Sequence, residues 1–314
     1  MSRQLCITSV DGHTGFLIAE LILTDNKFKK AIGTVTGLTL HPDAPFCKEL
    51  SKLGAKIVPH RPGRLRDMVS SLQEVGADTM CLIPPAHTEK FDITAELIEA
   101  TKKANVPNVC FLSSAGCDLA ERDKQPRLRE FIDLEARFMA SKGDPSTSTG
   151  HSPVIIRCVV KSWLLILSYP GWPSVQLTYQ SLTLPPGPLL TTGDELASAA
   201  SQALGENLKF EDISELVSCI LPILDKHFLT EVNNPRAEAK KVLHAQSESD
   251  ESEVQYLLEY YSLVREGKTN YISTTAFHDV TGGHPQEPPD FFKTYAQEFH
   301  AKRGHKKRKL SADK

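Results

Sequence analysis

The sequence predicts an α/β protein, a doubly wound parallel sheet followed by a smaller, mostly helical C-terminal region. Three observations carry this. Strand-like and helix-like runs alternate with short links over the first 160 residues. The runs LCITS, TMCLI and VCFLS lack polar alternation, as strands covered on both faces do. Glycine follows two of the helical runs directly, at Gly54 and Gly76, where a helix stop favours it.

Residues 5–9 form a short apolar run ending at an Asp-Gly turn, and 16–23 carry apolar residues at most positions, as a buried helix would. Residues 31–36 read as strand two, 44–53 as a helix, and 56–59 as strand three. A helix over 65–75 leads to strand four at 79–83, which Pro84 and Pro85 stop. A helix over 94–104, strand five at 108–113, a long helix over 127–141 and strand six at 154–160 complete the alternation. Between the last two, 143–153 is a polar loop rich in turn formers. Beyond residue 160 the period weakens, and 163–190 holds five prolines. Helices are expected over 193–205, 237–246, 254–265 and 289–299. The division expected is 1–160 as the sheet domain, 161–300 as a C-terminal region and 301–314 as a basic tail.

The chain has 314 residues, is 40% hydrophobic and 24% charged, and so excludes fibrous or wholly disordered classes. No apolar run is long enough to span a membrane, and the start lacks an apolar signal core. These features point to a cytoplasmic protein. Six basic residues lie between Lys302 and Lys309, and without them the net charge of −3 becomes −9. A body that acidic repels phosphate backbones, so direct nucleic-acid reading by the folded part is not expected. The tail itself reads as a nuclear address or as a solvated end. The seven cysteines include no C-x-x-C pair, and Cys6, Cys81, Cys110 and Cys158 sit in apolar strand-like runs. They read as small buried hydrophobes in a reducing compartment, with no metal site.

Ligands of doubly wound sheets bind beyond the carboxyl ends of the strands, where strand order reverses. Strand one is followed there by Asp11-Gly12-His13-Thr14-Gly15-Phe16-Leu17-Ile18. Glycines at a strand-to-helix turn let the backbone approach a pyrophosphate, which the helix start then attracts. Gly12 and Gly15 match the first two glycines of that fingerprint, and Ile18 stands where the third would be. The cofactor-binding residues expected are therefore Ser9, Gly12, His13, Thr14, Gly15 and Phe16, with Thr36 at the end of strand two and Pro84 and Pro85 after strand four. No carboxylate is expected at the end of strand two to bind a ribose 2′-hydroxyl, and no arginine stands ready for a 2′-phosphate. NADP(H) is thus weakly preferred over NAD(H). Ser113, Ser114 and His87, at the ends of strands five and four, are the candidate catalytic residues. An ordinary turn after a strand explains the same residues without chemistry.

Together these pieces resemble the NmrA-like family, atypical members of the short-chain dehydrogenase/reductase superfamily. The resemblance runs over 4–157 and in patches at 187–215 and 236–300, carried by GHTGFLI at 12–18, LSKLGAKIV at 50–58, FLSSAG at 111–116, EFIDLEARFMAS at 130–141, SPVIIR at 152–157 and two later stretches. It implies a Rossmann-type domain with a C-terminal region framing a substrate cleft. It also implies either an NAD(P)H-dependent oxidoreductase of a small organic molecule or a non-catalytic dinucleotide-sensing regulator of transcription. The chain departs from the pattern in four ways. Ile18 replaces a glycine, and the superfamily's tyrosine four residues before a lysine occurs nowhere. Residues 158–186 do not resemble the family and 216–234 look inserted, as altered splicing or an imperfect gene model would produce. The enzyme reading therefore lacks an obvious proton source, with Ser113, Ser114 and His87 as its nearest candidates. The substrate and the oligomeric state are not legible in the sequence.

Overall fold

The computed structural model describes residues 2–141, 152–158, 193–205, 207, 251–266, 268, 282–283, 287–294 and 296. Six strands, β1 (Arg3–Ile7), β2 (Ile32–Thr39), β3 (Lys56–Pro59), β4 (Thr79–Leu82), β5 (Asn108–Ser114) and β6 (Ser152–Cys158), form one sheet in the order β3-β2-β1-β4-β5-β6. Every pairing is parallel. The order reverses between β1 and β4, and sheets of this kind bind their ligands beyond the carboxyl ends of the strands at that switch point. This is the doubly wound sheet expected from the alternating runs.

Helices cover both faces. α1 (His13–Thr24), the short α2 (Asn26–Lys29) and α3 (Pro45–Lys52) connect the first three strands. Phe16 and Ala19 of α1 and Cys47 and Leu50 of α3 bury against Leu5, Ile7 and Val35. On the other face, α4 (Leu65–Glu74), α5 (Lys90–Lys103) and α6 (Pro126–Ala140) pack Met68, Leu72, Ile93, Leu97, Leu134 and Phe138 onto Leu38, Met80, Leu82 and Phe111. Phe111 and Phe138 stack with centroids 5.5 Å apart.

Several boundaries differ from the sequence expectation: β1 and β6 lie two residues earlier than expected, so that β6 begins inside the expected 143–153 loop, and β2, α1 and α5 differ as well. β2 runs to Thr39 rather than Thr36, because Gly37, Leu38 and Thr39 pair with Ile57, Val58 and Pro59 of β3. Gly37 looks like a strand stop in sequence, but a Cβ there would meet Val10 Cγ2 at 2.7 Å. The glycine lets the loop after β1 cross β2 without ending it. α1 begins at His13, and α5 begins at Lys90, four residues before the expected start.

The chain divides into two compact units, Met1–Cys158 with Ser249–Lys268, and Val159–Glu248 with Thr269–Lys314. The first unit thus takes back a distant segment that the sequence reading placed in the C-terminal region. That segment forms α8 (Glu251–Arg265) and docks on α6, where Glu259 accepts a hydrogen bond from the Leu128 backbone N–H at 2.9 Å. In the second unit the described residues include α7 (Gly193–Leu204) and α9 (Pro288–Thr294), which bury Ala197, Ala200 and Leu204 and the two rings of Phe291 and Phe292. The expected helix over 237–246, the departures at 159–186 and 216–234, and the tail at 301–314 lie outside the described residues. No helix among the described residues is long and apolar enough to cross a membrane.

A half-buried ion pair ties α6 to β6. Arg157 donates from Nε and Nη2 to the two Glu135 oxygens at 2.9 and 2.8 Å, and its Nη1 lies 3.2 Å from Asp118. Burial opposes charge on Glu135, yet the fork of the Arg157 guanidinium holds its carboxyl below the usual range. A carboxyl lowered in the folded state stabilises it above the unfolded pKa, about 4.3, and loses that contribution as pH falls through the folded value. Glu135→Gln is expected to cost roughly 2 kcal/mol at pH 7, since Arg157 keeps 35% of its side chain in water. Urea denaturation at pH 7 and pH 3 measures this, and the gap between wild type and variant should narrow at the lower pH.

Candidate functional site

Two hydroxyls tie the chain leaving β1 to the chain leaving β4 at the switch point. Thr8 Oγ1 donates to the Ile83 carbonyl at 2.8 Å and accepts from the Ile83 N–H at 2.6 Å, while Ser9 Oγ donates to the same carbonyl at 2.8 Å. Ser9 adopts φ 54°, a left-handed conformation that costs a non-glycine residue energy and reverses the chain into the turn. The Gly12 N–H then donates to the Ser9 carbonyl at 3.0 Å, and α1 starts from Gly12 with no side-chain cap and no acidic residue in its first turn. That helix end keeps its positive dipole unopposed from within.

The two glycines of this turn do different work. A Cβ on Gly15 would lie 2.4 Å from the Ser9 carbonyl oxygen and 2.9 Å from that of Thr8. Gly15 therefore lets α1 pack against the end of β1, the role the fingerprint gives to its third glycine. Gly12 is exposed, and a Cβ there would sit 3.4 Å from Ser9, in ordinary contact. The third position, Ile18, is partly buried against the core that α1 covers. Phe16 stacks on Phe46 at 4.5 Å, and the His13 ring meets Phe46 edge-on at 5.0 Å, so both rings hold α1 to α3. Thr14 is half-buried in the first turn of α1.

Thr36 does not stand at a strand end. It pairs with Cys6 on one side and Lys56 on the other and is buried mid-strand. The true end of β2 is Thr39, and a carboxylate does reach it from the neighbouring loop, since Asp11 Oδ2 accepts the His41 N–H at 3.2 Å. Pro84 and Pro85 follow β4 after Ile83, the first half-buried and the second buried. His87 lies in the turn that starts α5, where its Nδ1 accepts the Glu89 N–H at 3.1 Å.

The adjacent serines at the end of β5 part company. Ser113 faces α6, with its Oγ 3.8 Å from Cys117 Sγ and beside Glu135. It belongs to the buried cluster of Cys117, Glu135 and Arg157, in which burial pushes the Cys117 thiol up to about 11. Ser114 instead lies 2.7 Å from the hydroxyl of Tyr256, on α8.

Beneath Tyr256 is a buried cation. Lys90 Nζ sits 4.2 Å from the centroid of Phe131 and 5.7 Å from that of Tyr256. It donates to the Arg127 carbonyl at 2.8 Å and pairs with Glu130 at 3.2 Å. Burial brings its pKa down to about 8, and Glu130 partly offsets this. Glu259 on the same helix as Tyr256 is shifted upward by its own burial. Serine, tyrosine and lysine, 142 residues apart at the extremes of the Ser114–Tyr256 contact, thus meet beside the carboxyl end of β5. Sequence reasoning missed Tyr256 and Lys90. The tyrosine lies in a Tyr/Leu-rich helix whose composition signals only packing, and no linear spacing joins it to residue 90 or 114. Among the described residues no group of three His, Cys, Asp or Glu side chains could hold a metal ion.

No protein-family model matches the sequence, and no curated protein matches it. Solved structures do match in fold. The NADPH-dependent quinone oxidoreductase QOR2 of Escherichia coli, complexed with NADPH, superposes with TM-score 0.59 at 14% identity, covering 92% of this chain and 99% of its own. Triphenylmethane reductase from Citrobacter sp. gives TM-score 0.59 at 14% identity, over 94% and 99% of the two chains. Leucoanthocyanidin reductase with NADPH from Vitis vinifera gives 0.56 at 14%, over 93% and 99%. At this identity the likeness establishes the fold, a Rossmann-type α/β architecture.

Proposed function

We propose that the chain is an NAD(P)H-dependent oxidoreductase of the NmrA-like type acting on a small organic molecule. The observation that carries this is the Tyr256 hydroxyl, 2.7 Å from Ser114 at the carboxyl end of β5 and backed by the Lys90 ammonium. It supplies the proton source that the linear sequence lacks. Support for the cofactor comes from the uncapped start of α1 at Gly12 and from the NADPH named with two of the fold's structural neighbours.

When bound, the reduced nicotinamide supplies the hydride. Gly12 and the first turn of α1 would hold the pyrophosphate, and Pro84 and Pro85 would border the nicotinamide end of the site. Tyr256 donates its proton to the anion developing on the substrate, Ser114 orients that hydroxyl, and the Lys90 cation stabilises negative charge on the ring as the proton leaves. NADP(H) is proposed as preferred over NAD(H) on the strength of the NADPH named with those neighbours, and only slightly, because the Asp11 carboxylate beside the end of β2 opposes a 2′-phosphate.

Fluorescence titration with NADPH, NADH and their oxidised forms tests the reading. Binding of both reduced forms within tenfold of each other, about 1.4 kcal/mol, is expected, together with oxidation of NADPH by at least one quinone, imine or carbonyl acceptor. Absence of dinucleotide binding would sink it. A second reading, a dinucleotide sensor without turnover, draws on one observation. Ser114 is 1% exposed and its hydroxyl is engaged by Tyr256. Binding without turnover across the acceptor panel would favour that reading.

A further inference from the structure

Cys81 of β4 and Cys110 of β5 are register partners on adjacent parallel strands. Side chains at paired positions stand on the same face, and neighbouring strands run about 4.8 Å apart. That spacing lies inside the range of about 4.4–6.8 Å over which two Cα atoms are bridged by a disulfide. Both side chains lie at the margin of the core that α1 and α3 cover, and both are only partly buried. The next residue along the same row, Val154 of β6, is 49% exposed, so the row opens toward solvent from the β6 side.

From this geometry we infer that Cys81 and Cys110 form a reversible dithiol–disulfide site, oxidised by a low-molecular-weight disulfide of the glutathione type. The Cys110 thiolate attacks one sulfur of the oxidant, whose S–S bond breaks and releases one thiolate. Cys81, having lost its proton to water, attacks the Cys110 sulfur of the mixed disulfide and releases the second. Two protein thiols are oxidised and one small disulfide is reduced to two thiols. The hydrogen bond from Cys81 draws the Cys110 thiol below its usual range, against burial, which suits Cys110 as the attacking group.

The other cysteines with described side chains lack this arrangement. Cys6, Cys47 and Cys117 are fully buried, and burial raises all three thiols, Cys6 to about 12. The bond would join the two strands whose ends carry Pro84-Pro85 and Ser113-Ser114, and it depends on nothing in the proposed reaction.

The test treats the reduced full-length chain with glutathione disulfide and maps the products by tandem mass spectrometry after blocking free thiols with iodoacetamide. A Cys81–Cys110 disulfide is expected, with loss of iodoacetamide labelling at both residues and its full return after dithiothreitol. In Cys81→Ala, a stable glutathione adduct should accumulate on Cys110. Full labelling of Cys110 after oxidation overturns the inference. So does a Cys110 disulfide to any other cysteine, or a glutathione adduct that persists on Cys110 in the wild type. The wild-type mapping decides the matter even if the variant fails to fold.

Discussion

Tyr256→Phe is expected to lower the rate of NADPH oxidation by an accepted substrate roughly 10²–10⁴-fold, the contribution a positioned proton donor makes. The substitution removes one oxygen and leaves the ring on Phe131, 5.5 Å between centroids. Dinucleotide affinity should therefore stay within about twofold, or 0.4 kcal/mol. Stability should fall by about 1 kcal/mol, because Ser114 loses a partner in a buried position. Stopped-flow absorbance of NADPH and a urea titration separate these effects. The pH profile distinguishes a chemical role from a packing role. Lys90 titrates at about 8, so the wild-type rate should fall as the ammonium is lost above that pH. In Lys90→Met the rate should be low throughout and lack this limb. An unchanged rate in Tyr256→Phe would make the contact with Ser114 a structural staple between α8 and β5.

Gly15→Val is expected to unfold or grossly destabilise the sheet domain, at a cost above the 1–3 kcal/mol usual for overpacking. The added carbons would enter the space held by the Ser9 and Thr8 carbonyls, which are backbone groups and have no rotamer to yield. Those residues are also pinned to Ile83 through Thr8 Oγ1 and Ser9 Oγ, so α1 itself would have to lift from β1. Gly15 is thus required for the packing of α1 on β1, apart from any approach of a pyrophosphate. Gly12→Ala is the cleaner probe of the binding turn. Its φ of −94° suits alanine, and its Cβ would meet only Ser9 at 3.4 Å. The thermal midpoint of Gly12→Ala should match wild type within a few degrees, whereas Gly15→Val should show no cooperative transition at the wild-type temperature. A Gly15→Val protein with wild-type stability would mean that α1 can shift freely at its start.

The alternation of strands and helices, their approximate bounds and the glycine turn after β1 were legible in the sequence alone. Burial on both faces leaves an unbroken apolar run such as TMCLI, and helix ends leave their glycines, so each element records its own surroundings locally. The end of β2 was not legible. Whether Thr-Gly-Leu-Thr continues a strand depends on Ile57, Val58 and Pro59 pairing beside it and on Val10 passing over Gly37. Nor could the sequence divide Ser113 from Ser114, since the alternation of the pleat sends one toward Glu135 and the other toward Tyr256. The meeting of Lys90, Ser114 and Tyr256, and the register that sets Cys81 beside Cys110, were decided by tertiary structure for the same reason. Local pattern reports how deeply a residue is buried, but sheet register and the docking of α8 on α6 determine which distant residue it meets.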